Sequence, residues 1–173
     1  MSIDTAVNLF IGQLQNYSLT SLSVFWDFIF EPVLLVVVSL IISIYLFFIK
    51  RKKEASVFFS SMLAIGAVVE FLKFLMMRAR PLNQIILRTD FAFPSGHAAV
   101  NLVFFGMLVY IFLGSRSLRT KTISYILAGI LVLFIGFTRI YLRVHWLTDV
   151  LVGFVVGAVV LSVGIIVLRK INN

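Results

Sequence analysis

Apolar residues fill most of the chain in long runs, with short polar stretches between them. The runs over about 25–49, 55–77, 96–114, 122–138 and 147–168 each reach or approach the roughly 20 mostly apolar residues needed to cross a bilayer as a helix. The pattern therefore predicts five transmembrane helices. Ahead of them, Ile3, Val7, Phe10, Ile11 and Leu14 recur at helical spacing, with Asp4, Asn8, Gln13 and Gln15 on other faces. That periodicity predicts a short amphipathic helix on the bilayer surface, within residues 1–22. Phe25, Trp26, Phe28 and Phe30 form an aromatic cluster where the first span would meet the interface, and Pro32 suits a first helical turn. No repeat, low-complexity tract or long linker is present. Residues 1–173 are thus expected to form one membrane-embedded domain, an all-α polytopic helix bundle over 25–170 behind the interfacial helix.

Composition agrees with that pattern: 61% of the 173 residues are hydrophobic and 13% charged, too apolar for an ordinary soluble domain. With no cysteine there is no disulfide framework or thiolate chemistry. A net charge of +8 would suggest nucleic acid in a soluble protein. Here the basic residues cluster between spans and read as topology, and no nucleic-acid partner is expected. One set of loops carries Lys50, Arg51, Lys52, Lys53, Arg116, Arg119, Lys121, Arg169 and Lys170; the other side has Lys73, Arg78, Arg80, Arg88, Arg139 and Arg143. Nine against six favours the first set as cytoplasmic. The N-terminus and the loops at 78–95 and 139–146 are then expected outside. The opening MSIDTAVNLF has no basic residue before its apolar stretch and does not read as a cleaved signal peptide.

Three polar clusters fall on that outer side: KFLMMRARP with Lys73 and Arg80, PSGH from Pro94 to His97, and TRIYLRVHWLTD with Arg139, His145 and Asp149. The topology brings all three to one membrane face, where two helices end and two begin. Ser95 is placed to cap the helix that follows, and Gly96 allows a ligand close to backbone N–H groups. A helix N-terminus attracts anions, and Lys73, Arg80 and Arg139 add three cations that suit phosphate. His145 and Asp149 are spaced i, i+4, so a shared helical face would let the carboxylate fix the ring tautomer. The other ring nitrogen is then a nucleophile or a base. His97 could protonate a leaving oxygen. No divalent-metal pattern is visible, and no cofactor is expected. Lysines and arginines at span ends commonly snorkel to headgroups, but snorkelling does not explain two histidines, a Ser-Gly cap and a His/Asp pair on one face.

These clusters resemble the signature of the type 2 phosphatidic acid phosphatase superfamily. Lys73 with Arg80-Pro81 matches its first element, Pro94-Ser95-Gly96-His97 its second, and Arg139, His145 and Asp149 its third, over residues 73–149. Thr138 stands where the family usually has serine, and keeps the hydroxyl. Membrane members commonly have six spans, against the five predicted here. The resemblance implies that His145 attacks phosphorus to form a phosphohistidine, oriented by Asp149, with His97 as general acid. Lys73, Arg80, Ser95, Gly96 and Arg139 would hold the phosphoryl oxygens, without metal.

Secondary candidates are Glu70, one turn before Lys73, and Arg78 and Arg143, which lie near the motif cations and could meet a second phosphate or a headgroup. Asn16-Tyr17-Ser18 also fits a glycosylation acceptor triplet. The expectation is a multi-pass cytoplasmic-membrane phosphatase, its site facing outward, acting on a lipid phosphate or diphosphate. Undecaprenyl diphosphate is favoured by the spare charge of Arg78 and Arg143, with phosphatidylglycerophosphate and phosphatidic acid as alternatives. A non-catalytic lipid-binding scaffold and a phosphotransferase are the competing classes.

Overall fold

The computed structural model describes residues 1–114 and 116–172. Seven helices and no strands are found among them: α1 (Ile3–Gln13), α2 (Tyr17–Ile29), α3 (Pro32–Phe48), α4 (Lys52–Met76), α5 (Gly96–Leu113), α6 (Leu118–Tyr141) and α7 (Leu147–Asn172). Four of these, α4 to α7, are long and apolar enough to span a membrane alone; α2 and α3 qualify as one span bent by 45°. The protein is a multi-pass membrane helix bundle.

The single first span expected over 25–49 is corrected by that bend. Pro32 has no N–H to continue an upstream helix, and it forces Glu31 out of the helical region, at ψ 127°. The chain breaks there and restarts with Pro32 at the first position of α3. Asn101 Nδ2 on α5 donates to the Phe30 carbonyl at the break, 3.1 Å, as buried backbone in a membrane requires. The surface helix expected within 1–22 is likewise two helices, α1 and α2. Asn16 of the acceptor triplet caps α2, its side chain taking the Leu19 N–H.

Helix α5 is central and packs against α3, α4, α6 and α7. Lipid tails are as apolar as leucine, so close packing rather than water exclusion holds such helices together. The α5–α7 seam shows how. Gly153 and Gly157 on α7 lie one turn apart, and a Cβ on either would sit 2.7 Å from a backbone oxygen of α5 or its cap, Ser95 O and Ala99 O. Both glycines are therefore needed for the two backbones to meet. At the end bearing Lys50–Lys53, Arg51 donates to Ile111 O and Lys53 to Ile171 O, which ties α4 to the ends of α5 and α7.

Candidate active site

The end of α4, the start of α5, the end of α6 and the start of α7 meet at the opposite end of the bundle, where α1 and α2 lie against α6 and α7. A cavity of about 210 Å³ opens among them. Lys73, Arg80, Gly96, His97, Arg139 and His145 line it, as do Glu70, Glu31, Arg88 and Asp90. Pro32, Val33 and Val36 of α3, with Gly66 and Val69 of α4, give it one apolar wall.

His145 sits in the turn between α6 and α7. Its Nδ1–H donates to the Ala92 carbonyl at 2.7 Å, and the Asp149 carboxylate lies 3.6 Å from the same nitrogen. A carbonyl only accepts, so Nδ1 carries the proton and Nε2 carries the lone pair. Arg80 Nη1 donates toward that lone pair at 3.2 Å. Asp149, expected as the orienting partner, is the more distant of two acceptors; its own carboxylate takes the Trp146 N–H at 2.8 Å. Complete burial pushes the His145 imidazole down to about 4, Asp149 opposing and the Arg80 charge assisting. At neutral pH the ring is an uncharged base.

His97, in the first turn of α5, faces two carboxylates from the α2–α3 bend, Asp27 Oδ1 at 3.3 Å and Glu31 Oε2 at 3.5 Å. Ser95 caps α5, its hydroxyl accepting the Ala98 N–H, while its own N–H donates to Asp149 O at 3.0 Å. No protein acceptor meets the Gly96 and His97 N–H groups among the described residues, which leaves two donors at a helix N-terminus.

Every cation of the cavity already has an anionic partner. Lys73 bonds Glu70 at 3.0 Å and Asp90 at 2.7 Å, and Arg80 bonds both the side chain and the backbone of Asp90. Burial would raise the Asp90 carboxyl, but the Lys73 bond and the Arg80 and Lys73 charges hold it at about 2. Arg139, only 1% exposed, is ion-paired with Asp27 and takes further support from the Thr138 hydroxyl at 3.0 Å. Arg88 bridges Asp27 and Glu31.

Three residues expected near the phosphate are not on the cavity wall: Ser95, whose hydroxyl caps α5, and the two arginines Arg78 and Arg143, which corrects the reading of those arginines as spare cations. Arg78 pairs with Asp149 at 2.5 Å and Asp4 at 2.7 Å, on the far side of the His145 turn. Arg143 turns the chain with φ 57° and donates to Asn8 of α1. Both lie close to the motifs in sequence, but in the fold both hold the N-terminal helix.

Asp27, Glu31, Arg88 and Asp90 were not anticipated. Asp27 had a legible signal, as a lone carboxylate inside the apolar run SVFWDFIF, where a charge is costly without a partner. Glu31 and Asp90 carried none, because only the fold brings them to the site. Asp27, Glu31 and His97 place one donor atom each within 4.8 Å of one another, as a metal site would. Two guanidiniums on the same carboxylates oppose a divalent cation there.

Comparison with known proteins agrees with this arrangement. The family model described as PAP2 superfamily matches residues 54–172. Phosphatidylglycerophosphatase B of Bacillus subtilis is 34% identical over 83 residues, which is 46% of this chain and 41% of that protein, so the matched stretch spans less than half of the relative. The crystal structure of a transmembrane PAP2-type phosphatidylglycerolphosphate phosphatase from Bacillus subtilis superposes with a TM-score of 0.89 at 23% identity, covering 97% of this chain and 85% of that one. That of Aquifex aeolicus LpxE gives 0.74 at 23% identity, covering 98% and 96%. At such identity the two structures speak for the fold, while the family match covers most of the chain and all three polar clusters: the chain belongs to the PAP2 superfamily.

Proposed function

We propose that the chain is a metal-independent phosphatase of a membrane lipid phosphate, working through a phosphohistidine at His145. The observation that carries this is the tautomer: Ala92 O holds the proton on Nδ1, so the Nε2 lone pair lies on the cavity wall beside Arg80. Nε2 attacks phosphorus as the bond from phosphorus to the lipid oxygen breaks, and His97 delivers a proton to that oxygen. Lys73, Arg80, Arg139 and the N–H groups of Gly96 and His97 hold the three remaining oxygens and stabilise their charge. Water then cleaves the phosphorus–nitrogen bond, its proton passing to His97, and phosphate leaves. Ser95 acts through its cap on α5, and Glu70 by holding Lys73.

The apolar wall of α3 and α4 would seat the first carbons of the lipid. A single terminal phosphate suits this cavity better than two, since Arg78 and Arg143 do not reach it and Glu31, Glu70 and Asp90 would repel a second. The name of the Bacillus subtilis relative points the same way, toward a phosphatidylglycerophosphate-like monoester. A lipid diphosphate is the second reading, favoured by Arg88 as a fourth cation on the wall. The basic-loop bias supports a cytoplasmic-membrane protein with its site facing outward.

The test is phosphate release in EDTA from phosphatidylglycerophosphate, phosphatidic acid and undecaprenyl diphosphate, beside His145→Ala. Release that disappears in the variant, with an acid-labile phosphoprotein trapped from wild type, is the expected result. No release from any of the three by wild-type protein that still binds vanadate would replace the reading with a lipid-binding scaffold.

A further inference from the structure

Helix α1 presents an unusual face to the protein. Its polar residues Asp4 and Asn8 are buried together with Ile11, whereas Ile3, Leu9 and Phe10 are exposed. An interfacial helix seated this way offers its apolar side to the membrane and its polar side to the bundle. What Asp4 meets there is the rear of the candidate active site. Its Oδ1 accepts the Thr148 N–H at 3.0 Å, in the first turn of α7; its Oδ2 accepts the Thr148 hydroxyl and Arg78 Nη2, each at 2.7 Å. The other arm of Arg78 donates to Asp149 Oδ1 and to Thr148 Oγ1. Asp149 stands 3.6 Å from His145 Nδ1. A continuous series of charged bonds therefore runs from α1 through Arg78 to Asp149, whose carboxylate stands beside the imidazole, and Asp4, Arg78 and Asp149 are all absent from the cavity wall.

We propose that Asp4 is a positioning residue for His145, acting through Arg78 and Asp149, so that docking of the membrane-surface helix sets the basicity of the nucleophile. The proposal rests on the phosphatase reading for its kinetic part and not for its electrostatic part. With Asp4 in place, the Arg78 charge is divided between two carboxylates. Without Asp4, the guanidinium faces Asp149 alone and cancels more of the negative charge that favours imidazolium at His145. Other charged groups facing His145 are Arg80 from the loop after α4, itself held by Asp90, and Arg139 from α6; His97 of α5 lies across the same cavity. None of these touches Asp4, so they form a constant background to a change there. Burial opposes protonation of His145, which makes the ring sensitive to a change in its remaining anionic support.

The sign of the effect separates this role from simple support of the fold. Asp4→Asn removes a negative charge and lowers the pH at which His145 titrates. Arg78→Met removes a positive charge and raises it. Asp4→Glu keeps the charge and returns the midpoint toward wild type. His145 is followed by mass spectrometry of diethyl pyrocarbonate labelling, after brief exposure to pH values that extend on both sides of its midpoint near 4, because only the neutral imidazole reacts. This readout does not require turnover. In parallel, phosphate release from a short-chain phosphatidic acid is measured in detergent with EDTA. Asp4→Asn is expected to lower kcat about tenfold, as loss of an outer partner of a catalytic group commonly does, with KM within about twofold. Opposite midpoint shifts in Asp4→Asn and Arg78→Met support the proposal. Superimposable curves, or shifts of the same sign, overturn it. If wild type releases no phosphate, the phosphatase reading falls and the labelling midpoints still decide the role of Asp4. If Asp4→Asn does not fold, a raised midpoint in Arg78→Met and a near-wild-type midpoint in Asp4→Glu carry the test, and their absence overturns it.

Discussion

Replacing Asp27 by asparagine should destabilise the empty protein and strengthen its response to phosphate. Asp27 is 8% exposed and its partner Arg139 1% exposed, so the pair is shielded from water. The same carboxylate holds Arg88 and approaches His97. An amide preserves the shape and some hydrogen bonds but leaves the Arg139 charge buried without its paired carboxylate. Breaking a buried pair from one side costs about 3–5 kcal/mol. For a chain of this size, each kcal/mol lowers the unfolding midpoint by about 2–4 °C, so a fall of roughly 6–20 °C is expected without ligand. An oxyanion in the cavity would supply the missing negative charge. Phosphate or vanadate should therefore restore more stability to Asp27→Asn than to wild type, where a carboxylate already occupies the guanidinium. The assay is a thermal-unfolding titration in detergent with and without saturating vanadate. A variant that melts like wild type and gains no more from vanadate would refute the claim that Asp27 neutralises the arginine proposed to bind phosphate.

Four further outcomes follow from the same geometry. His145, buried as an uncharged ring, should remain a competent nucleophile down to about pH 5, and activity should fall as pH drops through about 4; a kcat/KM profile with its acid limb near 6.5 would refute this. Because its folded value lies below the ordinary 6.5, its contribution to stability is complete above pH 6.5 and is lost as pH falls toward 4, by about 3 kcal/mol at pH 4, measurable by urea unfolding. Thr138→Ser should keep release within about twofold, since either hydroxyl can bond Ile135 O and accept from Arg139, whereas Thr138→Val strips a buried guanidinium of that acceptor and should cost about 1–3 kcal/mol of stability; equal behaviour of the two variants would contradict the role given to the hydroxyl. Gly153→Ala forces a methyl within 2.7 Å of Ser95 O and should push α7, with Asp149, away from the cap of α5. Expected are about 1–3 kcal/mol of destabilisation and a larger fall in kcat than in lipid binding; an unaffected kcat would show that the seam does not set the site.

Much of this protein follows from local chemistry and was legible in the chain. Runs of apolar residues long enough to cross a bilayer can only be helices there, because backbone groups in lipid must be satisfied within the segment. The order of those runs then forces Lys73, Ser95, Arg139 and His145 to one end, and the spacing of the three motifs indicates an oxyanion cradle. Pro32 even marks where a helix starts. It did not say that an upstream helix would run to Ile29 and bend, which depends on Asn101, 71 residues away, donating to the freed Phe30 carbonyl.

Tertiary structure alone decided which charges face the cavity. Arg78 and Arg80, two residues apart, look alike in sequence, yet Arg80 turns into the cavity and Arg78 away from it. The choice depends on which carboxylate the fold brings near, and Asp4 is 74 residues from Arg78. Likewise the acceptor on His145 Nδ1 is a backbone carbonyl at Ala92, which no side-chain pattern can show. Periodicity specifies helices and their order because each residue contributes independently to burial in lipid. Charge pairing is a relation between distant residues, so it exists only once the helices have packed.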